Sequence, residues 1–573
     1  MQGQLTGKDR LVLVLYASLL FGVSLWGGRA LSMHEARLPQ TSREMYSAGE
    51  WLVPTLGGRP WLERPPLPHW ITIGIGHCVG GLETETAVRI APALMGVLTV
   101  LLVAWMAALW FGRAVGMLSG LLLATTLQFT RYVWLAEEEA FLSAVVAAGV
   151  VLFVRSEFGS GEERGSIAFL GRRPWPVVLF FVVIGLSNMV KGLFFGAAMT
   201  LLPIGAYLLW NRDWRGIRRY LWLWGGLLAG ALALAWPLYA NSIDPTARSI
   251  WFQDIGGRSA GALVPKPIYY YLLQLPWEIA PWTPFALGGL WVLRRNALGG
   301  RATPERFLWC WALMPLLFLS AVKGKHHHYL VPSLAPWAIL GAVGVTRWWQ
   351  WLAGQARWLR SGLLPAILGL IGAVVMFALR DRIPGTETAV VSVAVAIPFV
   401  ALLLNWCVMR PSPRAAAGWS FGVLLVLFAF GHVYAGTLAD KYRLDAAFLK
   451  RVRAEVPASS PLFVNGRGEG LKRFHDLFYL DASAQQLLDL SFLRDERITQ
   501  PEVFVVCRAG EQEALGEYGR PELMFKSEYE RHPAGPKALF RLRFHEDLKR
   551  YPDEVEVSAL ETFLGYPVPR LGE

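Results

Sequence analysis

Residues 66–82 read PLPHWITIGIGHCVGGL, and whether they cross a bilayer decides how the rest of the chain is threaded. A crossing helix needs about 20 mostly apolar residues, since the hydrocarbon core is about 30 Å thick and each residue adds about 1.5 Å. This run falls short of that length and contains Pro68, His69 and His77. It reads as a surface-lying or re-entrant helix. Were it to cross, every later loop would change sides.

Outward from that stretch, long apolar runs recur. Spans are expected near 10–31, 86–112, 114–134, 139–155, 175–191, 193–210, 219–240, 277–293, 307–322, 329–346, 362–379, 388–408 and 417–437, thirteen in all. The first is too long for a signal-peptide core and is followed by no A-x-A site, so it reads as a retained anchor. With Lys8 and Arg10 inside, the short loops bearing Arg113, Arg155, Arg172, Arg212, Arg294, Arg347 and Arg410 all fall on the cytoplasmic side. That is the positive-inside pattern, and it favours thirteen spans with the C-terminus outside.

Composition agrees. Of 573 residues, 54% are hydrophobic and only 17% charged, against about 25% charged in an average soluble chain. A disordered chain is excluded, and an ordinary soluble enzyme is disfavoured. The net charge of +12 can signal nucleic acid, but here the excess sits in loops beside spans, and no nucleic-acid partner is expected. Cys78, Cys310, Cys407 and Cys507 are far apart and form no CxxC, so neither a zinc site nor a disulfide framework is indicated. From about 439 the charge density rises. Strand-like PLFVNG, VFVVC and ALFRLRF alternate with helix-like SAQQLLDLSFLRDE and GEQEALGEYG. The expected organisation is a membrane domain over 1–438, with a first external loop at 32–82, and an external α/β domain over 439–573.

Charges near a bilayer face that do not point to the cytoplasm require a reason. Four groups meet that description. The loop 32–70 carries His34, Glu35, Arg37, Glu63 and Arg64, and residues 34–47 have helical spacing, with Glu35, Leu38 and Ser42 on one face. A solvated juxtamembrane helix would explain these equally well. Glu137, Glu138 and Glu139 stand at the junction of spans three and four, where acids also suit a helix N-terminus. Lys191 lies between two spans with no room for a loop, where a lysine can snorkel. Lys323, Lys325, His326, His327, His328 and Tyr329 crowd a short connection that suits an anion such as phosphate, or simply a basic surface. In the loop 241–276, Arg258 and Lys266 precede Tyr269, Tyr270 and Tyr271, as an aromatic belt or a lipid-phosphate entry would. Carboxylates and cations on one face suit a reaction on a lipid-linked phosphate. It needs a base for the acceptor and cations for the departing phosphate.

At these residues the sequence resembles a known family. HEARLPQTSREMYSAGEWLVPTLGGRPWLERPPLPHW is similar to the first external loop of membrane glycosyltransferases with the GT-C fold. The nearest resemblance is to the aminoarabinose transferase of lipid A and to bacterial enzymes like the protein O-mannosyltransferases. VKGKHHHYLVPSLAPWAIL resembles the family's later Lys-rich loop, Lys191-Gly192 its Lys-Gly at a span end, and PIYYYLLQLPWEIAPWTP its aromatic run to Pro-Trp.

The resemblance implies inverting transfer of a sugar from a polyprenyl-phosphate carrier to a lipid A-like, glycan or protein acceptor, at the external face of the cytoplasmic membrane. It gives Glu35 the role of leading acid, with Arg37 in support. One of Glu137 to Glu139 becomes the second acid; Glu139 is favoured over Glu138, because Ala140-Phe141-Leu142 follows it. Arg64, Lys191, Lys323, Lys325 and Tyr329 would lie about the carrier phosphate. The family's first loop usually offers Asp where this chain has His34, so either Glu35 substitutes or activation differs. A divalent cation is compatible, with Glu63 and Asp254 as ligands, but no metal site is assigned. A transporter or flippase for a lipid-linked sugar is the alternative; it would bury charge in mid-span and show internal repeats, and neither is visible here. A non-catalytic scaffold would leave the clustered acids and lysines unexplained.

Overall fold

The computed structural model describes residues 4–26, 29–57, 59–159, 168–252, 265–300, 302–353, 412–440, 444–465, 472–480, 484–487, 490–495, 498–528 and 535–549. Within them the membrane part is a stack of apolar helices. Helix α1 (Gly7–Gly22) opens with a capping box, Thr6 and Asp9 each satisfying the other's backbone. Asp9 then receives Arg113 Nε at 2.6 Å, tying the start of α1 to the start of α5 (Arg113–Ala124). Between them lie α2 (Arg37–Ala48), α3 (Leu67–Val79) and α4 (Glu85–Phe111). With 13 residues, α3 reaches only about 20 Å, too short to cross unaided.

Next come α6 (Leu127–Val133), α7 (Glu139–Phe158), α8 (Trp175–Lys191), α9 (Phe195–Trp210), α10 (Trp214–Tyr220) and α11 (Leu223–Ile243). They are followed by α12 (Tyr270–Glu278), α13 (Thr283–Gly299), α14 (Pro304–Ala321), a 3-10 helix (His327–Ser333), α15 (Ala335–Ala353) and α16 (Pro413–Asp440). By length and composition four described helices can cross a membrane, within 85–111, 139–158, 223–243 and 415–433. The 3-10 helix and α15 make a fifth if their 65° bend is one broken span. Expected spans 362–379 and 388–408 lie outside the described residues.

The helices break where side chains or partners take over backbone groups. Expected span 114–134 is split at Thr125 and Thr126. Their hydroxyls donate to Leu121 O at 2.7 Å and Leu122 O at 2.8 Å, and Leu127 N–H leaves the ladder for Ala280 O at 2.8 Å. Likewise the expected span 277–293 begins in the last two residues of α12, breaks at 279–282 and resumes as a helix at Thr283. Two glycines set the closest helix contact: a Cβ on Gly289 would lie 1.9 Å from Leu340 O, and one on Gly344 2.0 Å from Phe285 O. Helices α13 and α15 therefore meet backbone to backbone.

Beyond α17 (Leu444–Glu455) the chain forms a five-stranded sheet in the order β4-β3-β5-β7-β6. Its strands are β3 (Leu462–Asn465), β4 (Gln485–Leu487), β5 (Glu502–Arg508), β6 (Gly519–Lys526) and β7 (Lys537–Phe544); β1 and β2 are the two-residue pair Thr55–Leu56 and Arg59–Pro60 in the first loop. β3 pairs in parallel with β4 and β5, and β7 is antiparallel to β5 and β6. Strand β5 is buried on both faces. Phe504 and Val506 face α17 and α18 (Lys472–Tyr479), whereas Val503, Val505 and Cys507 face Leu493, Leu515 and Phe540.

The α18 side does not end at the sheet. Its cluster runs on into Leu31, Ala36, Met45 and Ile73 of the first loop. Arg43 of α2 donates to Leu477 O at 2.7 Å and Phe478 O at 3.0 Å, satisfying carbonyls at the C-terminal end of α18. The sheet unit thus sits on the first loop.

Candidate functional site

Three chain ends converge beside that loop. Helix α6 stops at Val133, and α7 starts at Glu139 with Glu138 at its N-cap, so both acids lie at the positive end of a helix. Helix α8 ends at Lys191, where a cation suits the negative end. Gly192 follows at φ 97°, in the region that glycine tolerates best, and Phe194 N–H donates to Asn188 Oδ1 at 2.7 Å. That tight reversal turns the lysine inward rather than toward solvent. Its ammonium meets Glu139 Oε1, and both side chains are nearly inaccessible. The ammonium also lies 5.4 Å over the Tyr329 ring.

The 3-10 helix brings the imidazoles. His328 Nε2 is 3.7 Å from Glu139 Oε1, and His327 Nε2 is 3.0 Å from Tyr132 Oη. The His327 and His328 rings therefore serve different partners, as consecutive residues must. Glu139 Oε2 is buried and has no hydrogen-bond partner among the described residues. An unfilled carboxylate oxygen beside a lysine is an acceptor waiting for a donor.

The neighbouring acids are driven apart electrostatically. Burial raises the Glu138 carboxyl, but Arg64, Arg37 and Lys191 outweigh it and hold the group below its ordinary value. Glu137 is held well above its ordinary value, by burial and by the charges of Glu139 and Glu138. One acid is thus kept ionised and its neighbour protonated, the division of labour that acid–base chemistry uses. His34 is exposed; desolvation and Arg37 hold its imidazole below the ordinary value, against the pull of Glu138 and Glu139.

Glu35 stands one layer back and is fully buried. Arg89 Nε donates to its Oε1 at 2.6 Å, Ala136 N–H to the same oxygen at 3.2 Å, and Ser32 N–H to its Oε2 at 3.1 Å. Burial raises its carboxyl, but Arg89 more than compensates and keeps it ionised. Through Ala136 it ties the first loop to the segment bearing the three acids. Beside it, Tyr479 Oη accepts from Leu31 N–H at 2.8 Å, so α18 reaches the same layer.

The remaining expected residues separate. Arg37 lies 5.8 Å from the Trp61 ring. Glu63 and Lys323 are exposed. Lys325 is buried, but its ammonium donates to the carbonyls of Val322 and Lys266, pinning its own turn. Arg258 and Asp254 lie outside the described residues. No group of three His, Cys, Asp or Glu is near enough to hold a metal ion among the described residues. Arg89, Tyr132 and Tyr479 are part of the arrangement but were not expected. Arg89 has the one available signal, an arginine just inside an otherwise apolar span.

Comparison with known proteins supplies the family. The profile of dolichyl-phosphate-mannose-protein mannosyltransferases matches residues 63–240. An undecaprenyl phosphate-alpha-4-amino-4-deoxy-L-arabinose arabinosyl transferase of Enterobacter sp. (strain 638) is 26% identical over 485 residues, 80% of this chain and 82% of that one. The protein named as transferase 1 of that kind from Pseudomonas fluorescens is 30% identical over 412 residues, 69% of this chain and 70% of its own. The crystal structure of ArnT from Cupriavidus metallidurans bound to undecaprenyl phosphate superposes with a TM-score of 0.73 at 18% identity, covering 94% of this chain and 99% of that one. The apo form gives 0.71 at 19% identity, over 93% and 97%. An unfilled acid–lysine site on this fold, together with that identity and coverage, places the chain in the family of undecaprenyl phosphate-alpha-4-amino-4-deoxy-L-arabinose arabinosyl transferases, GT-C fold membrane glycosyltransferases.

Proposed function

We propose that this chain transfers 4-amino-4-deoxy-L-arabinose from undecaprenyl phosphate to a lipid A-like acceptor at the external face of the cytoplasmic membrane. The observation that carries the reading is the buried Glu139–Lys191 pair with its open Glu139 Oε2. The acceptor oxygen attacks the anomeric carbon opposite the phosphate, so the configuration inverts. The bond from that carbon to the phosphate oxygen breaks, and carrier phosphate leaves with the electron pair. Glu139 Oε2 receives the acceptor's proton, while Lys191, Arg64 and Tyr329 meet the departing phosphate. Glu138 keeps Arg37 and Arg64 turned to the same place. Glu35, its oxygens already occupied, acts as a positioning residue for the loop.

A second reading of the base has one observation in its favour. His34 is exposed beside the acids and is held neutral at pH 7. If it is the base, the acidic limb of the rate profile falls at a pH below the ordinary histidine value, and His34→Ala abolishes that limb together with the rate.

We also propose thirteen crossings, a membrane domain of 1–438 and an external domain of 439–573. The packing of α18 on α2 supports one common side for the first loop and the sheet unit. The enzymatic reading is tested by incubating purified protein with undecaprenyl phosphate-linked 4-amino-4-deoxy-L-arabinose and lipid A. Free carrier phosphate and modified lipid A are expected together. An intact donor at equilibrium with abundant folded protein would overturn it.

A further inference from the structure

A buried carboxyl group with both oxygens unpartnered among the described residues lies outside the groups just named. Glu278, the last residue of α12, is 3% exposed, and neither carboxylate oxygen has a hydrogen-bond partner among the described residues. No described cation lies close enough to offset it. A buried carboxylate with both oxygens open is costly, and natural proteins keep such groups where a ligand completes them.

Its position relates it to the site. Helix α12 packs against α6 and the 3-10 helix, the elements that bring Tyr132 and His327 together. Tyr132 feels the charges of Glu139 and of Glu278. Tyr271, on the same helix as Glu278, donates its hydroxyl to His326 O at 2.9 Å. Glu278 therefore sits on the helix packed against the elements that carry Tyr132 and His327, on the side of the molecule where Glu139 lies. In a pyranose donor the anomeric carbon and the carbon-4 substituent lie on opposite sides of the ring. A donor whose anomeric carbon faces Glu139 would carry its amine toward Glu278.

We propose that Glu278 is the specificity-determining residue for the amino sugar, accepting charge-assisted hydrogen bonds from the protonated amine at carbon 4. The inference rests on the reading under Proposed function. Two open oxygens match an ammonium group, which only donates. A neutral hydroxyl at that carbon brings no charge to offset the cost of ionising the buried carboxyl, so discrimination arises from attraction for the ammonium.

The test uses full-length protein and two donors, undecaprenyl phosphate carrying 4-amino-4-deoxy-L-arabinose or L-arabinose. Wild type is expected to favour the amino donor by about 10- to 100-fold in kcat/KM, and Glu278→Gln to lose that preference chiefly through KM. Equal use of both donors by wild type, or an undiminished preference in Glu278→Gln, would overturn the role of Glu278 while leaving glycosyl transfer intact. Failure of wild type to release carrier from either donor would instead remove the reading beneath it, and this inference with it. The wild-type comparison stands even if Glu278→Gln does not fold.

Discussion

Two buried lysine–carboxylate pairs stand among the described residues, and they are finished differently. In the sheet unit, Lys537 joins Asp476 through both carboxylate oxygens and has Asp445 at 3.6 Å. Asp445 in turn receives the Ser527 hydroxyl at 2.9 Å, and His475 lies 3.6 Å from Asp476. Near the mouth of the helical part, Lys191 joins Glu139 through one oxygen, and the other is left open among imidazoles and tyrosines. The chemistry of the pairs is the same. Saturation makes one a staple between α18 and β7, whereas the other keeps one carboxylate oxygen open, the feature on which the proposed transfer site rests.

Breaking the staple should have the larger energetic consequence. Lys537→Met leaves Asp476 as an uncompensated buried charge, an expected cost of about 3–5 kcal/mol. Thermal unfolding would register it, while transfer per folded molecule stays near wild type. Loss of transfer without loss of stability would place Lys537 in the chemistry. At the mouth the balance reverses. Lys191→Ala and Glu139→Gln should each lower kcat per folded molecule by about 100- to 1,000-fold. A smaller effect follows from acid. Burial raises the Asp476 carboxyl, but Lys537 holds it below the ordinary range. Its contribution is therefore complete above the unfolded carboxyl value of about 3.9 and is lost as pH falls through the folded value. Urea titrations across that window should show stability falling on acidification, and Asp476→Asn should flatten the slope.

The same contrast explains what could be read in the sequence. Glu139 and Lys191 were visible because charge at the end of an apolar run is costly and needs a reason. Tyr329 was visible in the same way, in a short connection crowded with cations, and the phosphate role of Arg64 came through resemblance. What escaped was partnership across sequence distance. Nothing local to Glu35 reveals that Arg89 and Ala136 N–H occupy its oxygens. Glu278 was hidden because it falls at the edge of a run that reads as a span, and only packing reveals that its oxygens have no hydrogen-bond partner among the described residues. In the sheet unit the β-branched and aromatic runs at 461–466, 503–507 and 538–544 contain β3 and most of β5 and β7. By contrast, SAQQLLDLSFLRDE has helical spacing, yet Gln485–Leu487 is held as a strand by parallel pairing with β3. Strand β6 was not foreseen, because its alternation is weak and its register shifts between Leu523 and Phe525. Tertiary pairing overrides local preference there.

The central claim is that the open acid–lysine pair performs sugar transfer from a polyprenyl phosphate. The most direct measurement is release of undecaprenyl phosphate from its aminoarabinose-linked form by purified wild type and by Glu139→Gln, with folding of both verified by thermal unfolding. The account predicts steady release by wild type and release by the variant slowed by about 100-fold or more. Equal release by the two proteins would contradict it.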